Sequence, residues 1–448
     1  MDALTLRRVG LSVLATALFV GGLLIAPQPA QADPPSKTQP HNDIFIESDD
    51  QFNPSYGVRS GRGTKAHPFV ISGWEVNNIF IRDTSKYLEI KDNVINGSLT
   101  LNWNGKHVKL VDNEIGDLRV NQNVTRTGAP TSGYFARNKI GVVGQIRHFD
   151  GVFTKNVVGP NPSLLNGVPF FSNDRAVNFD GFHGSRFHRN TIYGYMDVRL
   201  HGHHHGSGFN APSHYHATPE ETEGEGHHGH HGMKPVDHTK RWHKVVVANN
   251  KIYSAGQWAL RYTDNGHSAN DRTAASETNE MLNLPHKHYT RTTLKNNKLV
   301  GAGLFVDVFN AEDELHKKIG RGTMNLLNND ITLTRDSMDP FRSYNGIEAN
   351  VGQVMSLNIK GNSIGWTKAA EEAIDDQLGN AGTAGIYMRD FDVSKIRLQN
   401  NKVTDFDYGV MAQSFTKSVK WWVNNLEARN VGTKIYYDDS VENHPHRN

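Results

Sequence analysis

"LEIKDNVINGSLTLNWNGKHVKLVDNEIGDLRV" (residues 88–120) says the same short phrase twice: an apolar strand, a polar break, then Asn-x-Ile, as "DNVI" at Asn93 and "DNEI" at Asn113. Outward from there the phrase returns as "RNKI" at Asn138, "KNVV" at Asn156, "RNTI" at Asn190 and "NNKI" at Asn250. It continues as "NNKL" at Asn297, "NNDI" at Asn329, "GNSI" at Asn362 and "NNKV" at Asn401, and a weaker copy, "NNLE", places Asn425 in the phase. The shortest spacings are 18, 20, 24 and 25 residues. Short β-branched strands at such a period, without helical periodicity, are the mark of a solenoid, because one turn cannot bury its own apolar face and stacked turns can. The Asn suits an inward or left-handed turn position, where its amide bonds the equivalent group one rung away. Separate β-sandwiches would need turn signals every 8–12 residues and give no reason for the same Asn each time. The repeat therefore predicts an all-β chain forming one right-handed parallel β-helix of roughly ten to twelve rungs over residues 61–430. Residues 33–60 read as an extended polar leader and 431–448 as a C-terminal tail.

"GTKAHPFVISGWEV" (63–76), followed by the Asn-x-Ile repeats, resembles the opening of NosD-like proteins. These belong to the carbohydrate-binding and sugar-hydrolysis, pectate-lyase-like group of secreted β-helix proteins. The resemblance covers most of the chain beyond residue 32 and implies the β-helix fold. For activity it implies a polysaccharide lyase, hydrolase or epimerase, or a periplasmic protein of copper-enzyme maturation. The "DPHD" of alginate epimerases is absent.

The first 32 residues read as a secretory signal: basic Arg7 and Arg8, the apolar run "VGLSVLATALFVGGLLIA", and a small-x-small cleavage site at Ala30-Gln31-Ala32. No later run approaches the ~18 apolar residues of a spanning helix. The expectation is a secreted, periplasmic or cell-surface protein without a stable membrane span. There is no cysteine, so neither a disulfide framework nor a thiolate metal site is available. With 48 basic and 46 acidic residues the formal charge is +2, and losing Arg7, Arg8 and Asp2 leaves +1. That balance argues against a dedicated nucleic-acid binder.

Strands of a parallel β-helix stack ~4.8 Å apart with side chains alternating between core and solvent. Aligning the core pairs Leu118/Val120, Val177/Phe179, Val198/Leu200, Leu260/Tyr262 and Val306/Val308, with Ile146 beside them, leaves an outward column. It reads Arg119, Arg147, Asp180, Arg199, Arg261 and Asp307, flanked by Asn178, Asp197 and His201, and continues through Asn350, Arg389 and Gln413. Alternating Arg and Asp also reads as a salt-bridge ladder that only solvates the face. Three insertions, at 202–242, 264–290 and 310–322, follow aligned strands at one point and would wall this column. Long loops on a rigid scaffold commonly carry function, although neutral surface expansion also lengthens loops.

An elongated face with several arginines suits an acidic polysaccharide, because guanidinium binds carboxylate in a bidentate manner. Trp258 and other aromatic residues near the rim (Trp103, Phe149, Phe182, Tyr262, Phe309) are candidate sugar-stacking surfaces or core packing. On a uronate chain the natural reaction is β-elimination. Arg199 and Arg261 would neutralise the carboxylate or donate the proton, and His201 would be the base. Asp180, Asp197 and Asp307 would orient the arginines or hold Ca²⁺. Arg119, Arg147, Asp307, Asn178 and Trp258 would complete substrate binding. Glycoside hydrolysis competes through Asp180 and Asp197, since it needs two carboxyls about 5–9 Å apart, and C5-epimerisation shares the proton abstraction.

The chain holds 24 histidines, and "RLHGHHHGSGFNAPSHYH" (199–216) concentrates them. His203, His205, His214 and His216, with His286 and His288 from "PHKHYTR", are candidate ligands for Zn²⁺ or Cu²⁺. His227–His231, among "TPEETEGEG", read as a loose tether. A metal-handling protein and a non-catalytic carbohydrate-binding solenoid are the alternatives to an enzyme.

Overall fold

The computed structural model describes residues 38–103, 107–122, 131–147, 149–159, 175–180, 185–200, 242–254, 256–264, 289–308, 322–334, 344–351, 354–367, 382–391, 393, 395–415 and 420–437. The fold is a parallel β-helix. One sheet stacks thirteen strands, from Val58–Ser60 and Phe69–Ser72 to Lys420–Asn424. A second sheet of 21 strands carries two ladders side by side, bridged by long strands such as Val94–Trp103, Glu114–Gln122 and Lys402–Phe415. Among the described residues every strand pairing is parallel except the first of the thirteen-stranded sheet, where Val58–Ser60 runs antiparallel to Phe69–Ser72. A rung crosses the third ladder (the thirteen-stranded sheet), turns at the Asn phrase, then runs through the first and second ladders.

The turn explains the phrase. The residue before each repeated Asn is left-handed: Asp92, Asp112, Arg137, Lys155, Arg189, Asn249, Asn296, Asn328 and Asn400, with φ between 51° and 60°, and Gly361 at 68°. This kink swings the following Asn inward, where Asn93, Asn113, Asn138, Asn156, Asn190, Asn250, Asn297, Asn329, Asn362 and Asn401 are all buried. Each Oδ1 from Asn113 onward accepts both the backbone N–H and the Nδ2–H of the Asn one rung before, for example Asn190 N and Nδ2 to Asn250 Oδ1 at 3.0 and 2.9 Å. Nδ2 also donates to a strand carbonyl of the preceding rung, as Asn250 does to Phe187 O at 3.1 Å. The side-chain amides thus form one hydrogen-bonded column in which buried polar groups find partners.

The column ends in apolar residues. At its start the Trp74 N–H donates to Asn93 Oδ1. At its finish Asn425 is not the inward residue that its phase suggests. It occupies the left-handed slot (φ 53°), its Nδ2 donates to Asn400 Oδ1, and Leu426 takes the buried place. The pairing of Lys402 with Glu427 fixes that offset.

The ladders enclose a single core of Ile, Val, Leu and Phe from Ile44 to Leu426. The expected polar leader joins it: Gln39–Pro40 and Ile44–Ile46 pair with Trp74–Glu75 and Ile79–Ile81, and Ile44, Ile46, Phe52 and Val58 are buried. The last strand, Glu427–Tyr437, runs past the expected boundary at 430. Among the described residues no helix is long and apolar enough to cross a membrane. The expected signal segment, residues 1–32, lies outside the described residues.

Candidate functional site

The second ladder carries the columns anticipated from the sequence, with two displacements. Arg147 pairs with Asp180, Asp180 with Arg199, Arg199 with Thr263, Thr263 with Asp307, and the column goes on through Asn350, Arg389 and Gln413. Arg261 is not in it. It pairs with Asp197, two residues away along the strand, in a parallel column of Asn178, Asp197, Arg261, Phe305, Glu348 and Tyr387. Arg119 is displaced likewise, pairing with Thr100 and Gln145. The inward residues explain the slip: Phe179, Val198, Tyr262 and Val306 share one core column, whereas Leu200 aligns with Asp264 and Val308.

The two columns meet most tightly at Asp197. Its side chain is fully buried and receives Arg199 Nε at 3.0 Å and Nη2 at 2.8 Å. Arg199 itself is partly exposed, so the pair presents one edge of a guanidinium fixed from beneath. An Asp-x-Arg pair also occurs at Asp117 and Arg119, at 2.7 Å but much more exposed. One rung from Asp197, the Arg261 guanidinium stands 5.6 Å over the Phe305 ring. Among the described residues its buried Nε has no hydrogen-bond partner, and neither has Asn178 Oδ1 on the other side of Asp197, nor Thr263 Oγ1 beside Arg199. Buried orphans are rare in folded proteins, and three around one ion pair mark a place built to meet polar atoms of something else.

Farther along, a second polar group was not anticipated. Glu348 is 6% exposed, receives Asn345 Nδ2 at 3.2 Å, and lies 3.6 Å from Arg389. Arg389 Nε donates to Asn350 Oδ1 at 2.8 Å, and the Tyr387 hydroxyl to Gln413 at 2.7 Å. The signal was present as "IEANV", an acid alternating with Asn350. Asp197 and Glu348 stand three rungs apart, ~14 Å at the rung spacing, beyond the reach of a paired-carboxyl hydrolase.

Three of the aromatic candidates take the core-packing alternative, while Phe182, Phe309 and the Trp103 side chain lie outside the described residues. Trp258 is 7% exposed and stacks on Phe305 at 4.7 Å, so its ring packs against protein; Phe149 and Tyr262 are in the core. The Tyr262 hydroxyl is shared with Thr292 Oγ1 at 2.8 Å, and burial pushes its pKa well up, so it is a strut between ladders. Of Asp180 only the backbone position is described. His201, His203, His205, His214, His216, His286 and His288 lie outside the described residues. Among the described residues no three His, Cys, Asp or Glu side chains are grouped to hold a metal.

The three insertions anticipated from the sequence share one corner. They join Tyr195–Leu200 to Trp242–Ala248, Trp258–Asp264 to Tyr289–Lys295, and Gly303–Val308 to Gly322–Leu327, each from the second ladder to the third. All three leave strands that carry the paired columns. Comparison with protein-family models, curated proteins and solved structures finds no match, so the site is read from its own chemistry.

Proposed function

We propose that the second ladder binds an acidic, uronate-containing polysaccharide and cleaves it by β-elimination. The observation that carries this reading is the Asp197–Arg199 pair surrounded by the orphan atoms Arg261 Nε, Asn178 Oδ1 and Thr263 Oγ1. A sugar ring with a carboxylate supplies their complements. The carboxylate accepts from guanidinium, and sugar hydroxyls donate to an amide oxygen and exchange bonds with a threonine hydroxyl.

In the proposed step Arg261 and the exposed edge of Arg199 neutralise the C6 carboxylate, which makes the C5 proton removable. A base takes that proton, the electron pair forms the C4–C5 double bond, and the C4–O bond breaks with its oxygen protonated. His201 is the base assigned from the sequence. Asp197 acts as a positioning residue, holding Arg199 rather than touching substrate.

The test is incubation with a panel of uronate polymers, following the ultraviolet absorbance of new unsaturated ends. Arg261→Gln should abolish turnover with the fold retained, and His201→Ala should do the same. Reducing ends released without that absorbance would assign hydrolysis. Wild-type turnover in Arg261→Gln would remove the site.

A further inference from the structure

The third ladder differs in charge from the rest of the molecule. Its last six strands are Trp242–Ala248, Tyr289–Lys295, Gly322–Leu327, Val354–Lys360, Lys395–Gln399 and Lys420–Asn424. They carry Lys244, Arg291, Lys295, Lys360, Lys395, Arg397 and Lys420 and no acidic residue, in a chain of 48 basic and 46 acidic residues. Register gathers them into columns. Lys244, Arg291, Thr323, Ser356, Lys395 and Lys420 form one; Thr293, Asn325, Asn358, Arg397 and Trp422 the next; Lys295, Leu327, Lys360, Gln399 and Asn424 the third. Lys244, Arg291, Lys360, Lys395, Arg397 and Lys420 are exposed.

Elsewhere cations are interspersed with acids. The N-terminal part of the same ladder pairs Lys109 with Glu89 at 2.8 Å, and the second ladder pairs Arg199 with Asp197. The first ladder's outward column mixes Lys251, Lys298 and Lys402 with Asp330 and Glu427. Among the described residues none of the seven third-ladder cations forms an ion pair, and Arg397 rests 5.8 Å over the Trp422 ring.

We propose that this face is a second binding surface, for an extended anionic polysaccharide lying along the solenoid axis. Six rungs at ~4.8 Å give a flat strip about 24 Å long, on which cations recur at rung multiples. Between them run short hydrogen-bonding side chains, Thr293, Thr323, Asn325, Ser356 and Asn358, several already bonded across rungs. Such rows match hydroxyls set among carboxylates or sulfates. A plane of lipid phosphates would be met by the long cations alone. The surface holds a polymer away from the second ladder, so it acts as an anchor and is independent of any chemistry there.

The experiment measures binding of the full chain to soluble polygalacturonate across a salt titration. One variant replaces Lys395, Arg397 and Lys420 by Gln; a matched variant replaces Lys251, Lys298 and Lys402 on the first ladder by Gln. With each lost cation contact contributing a fraction of a kcal/mol, the third-ladder triple should weaken binding about tenfold and flatten its salt dependence. The first-ladder triple should change binding less than about twofold, as expected for unspecific charge. Equal losses in both triples, or none in either, would overturn the proposal. So would third-ladder-dependent binding to phosphatidylglycerol vesicles without binding to polygalacturonate. Introduced into the Arg261→Gln background, the third-ladder triple should still weaken binding more than the first-ladder triple does, which separates failure of the anchor from failure of the second-ladder reading.

Discussion

Replacing Asn250 by Ala tests the amide column where it is most regular. The substitution removes four hydrogen bonds: Asn190 N and Nδ2 to Asn250 Oδ1 (3.0 and 2.9 Å), and Asn250 Nδ2 to Phe187 O (3.1 Å) and Asn297 Oδ1 (3.0 Å). Asn297 Oδ1 keeps one donor, the Asn250 backbone N–H at 3.1 Å. The two Asn190 donors have no substitute in the column, and each orphaned buried donor costs about 1–3 kcal/mol. The expected loss is therefore about 4 kcal/mol. A proper comparison is Asn358→Ala, which removes one part-buried amide bond, to Asn325 Oδ1 at 3.0 Å, and should cost about 1 kcal/mol or less. Urea unfolding followed by far-ultraviolet circular dichroism gives both values, provided the slopes agree, because solenoids can lose two-state behaviour. If Asn250→Ala lies within experimental error of Asn358→Ala, the column is not what holds the turns.

Three shorter predictions follow from other sites. Asp197→Asn should cost about 2–3 kcal/mol, less than the 3–5 typical of a wholly buried pair because Arg199 reaches solvent, whereas Asp117→Asn should cost under about 1 kcal/mol; thermal melts of the two variants give the comparison. Lys155→Gly should stabilise the fold by about 1 kcal/mol, because Lys155 holds φ 56° with a Cβ that disfavours it; destabilisation in the same urea assay would contradict this. His188 has its pKa lowered, first by burial and then by Arg189, Arg186 and Lys155. The folded state therefore binds its proton less readily than the unfolded chain, and stability should fall as pH drops below about 6.5. His188→Gln should flatten that acid limb, as read from unfolding midpoints between pH 7 and pH 5. An unchanged limb would mean that other groups set it.

The fold was legible because its decisive residue has no other job: an Asn recurring once per rung, after an apolar strand, has one economical explanation, a stacked turn. Register was harder, for a reason built into strands. Side chains alternate with period two, so a slip of two residues leaves every apolar side chain facing the core. Leu260/Tyr262 therefore matches Val198/Leu200 as well as its true partner, Met196/Val198, and the apolar pattern alone aligns Arg261 with Arg199 instead of Asp197. The Asn phase does not cure this, because the corners between ladders vary in length. Asn425 shows the same ambiguity at one-residue scale: in "NNLE" either amide fits a turn, and only pairing with Lys402 reveals that Leu426 is the inward residue. Glu348 went unread because an isolated acid inside "IEANV" resembles an ordinary exposed alternation. The third-ladder cations went unread because no single strand is unusual and their shared sign emerges only when rungs are stacked.

The amide column also has a direction. Every Asn from Asn93 to Asn362 gives its two donors to the Asn of the following rung, so a growing stack always ends in a pair of unfilled donors that the next turn satisfies. Only the rung that places Leu426 opposite Asn401 adds no further amide to be answered. Leu426 offers the Asn401 amide no side-chain acceptor, so the column closes by ceasing to add amides. Its length is thus modular in whole turns: excising a complete rung leaves the hydrogen-bond pattern seamless.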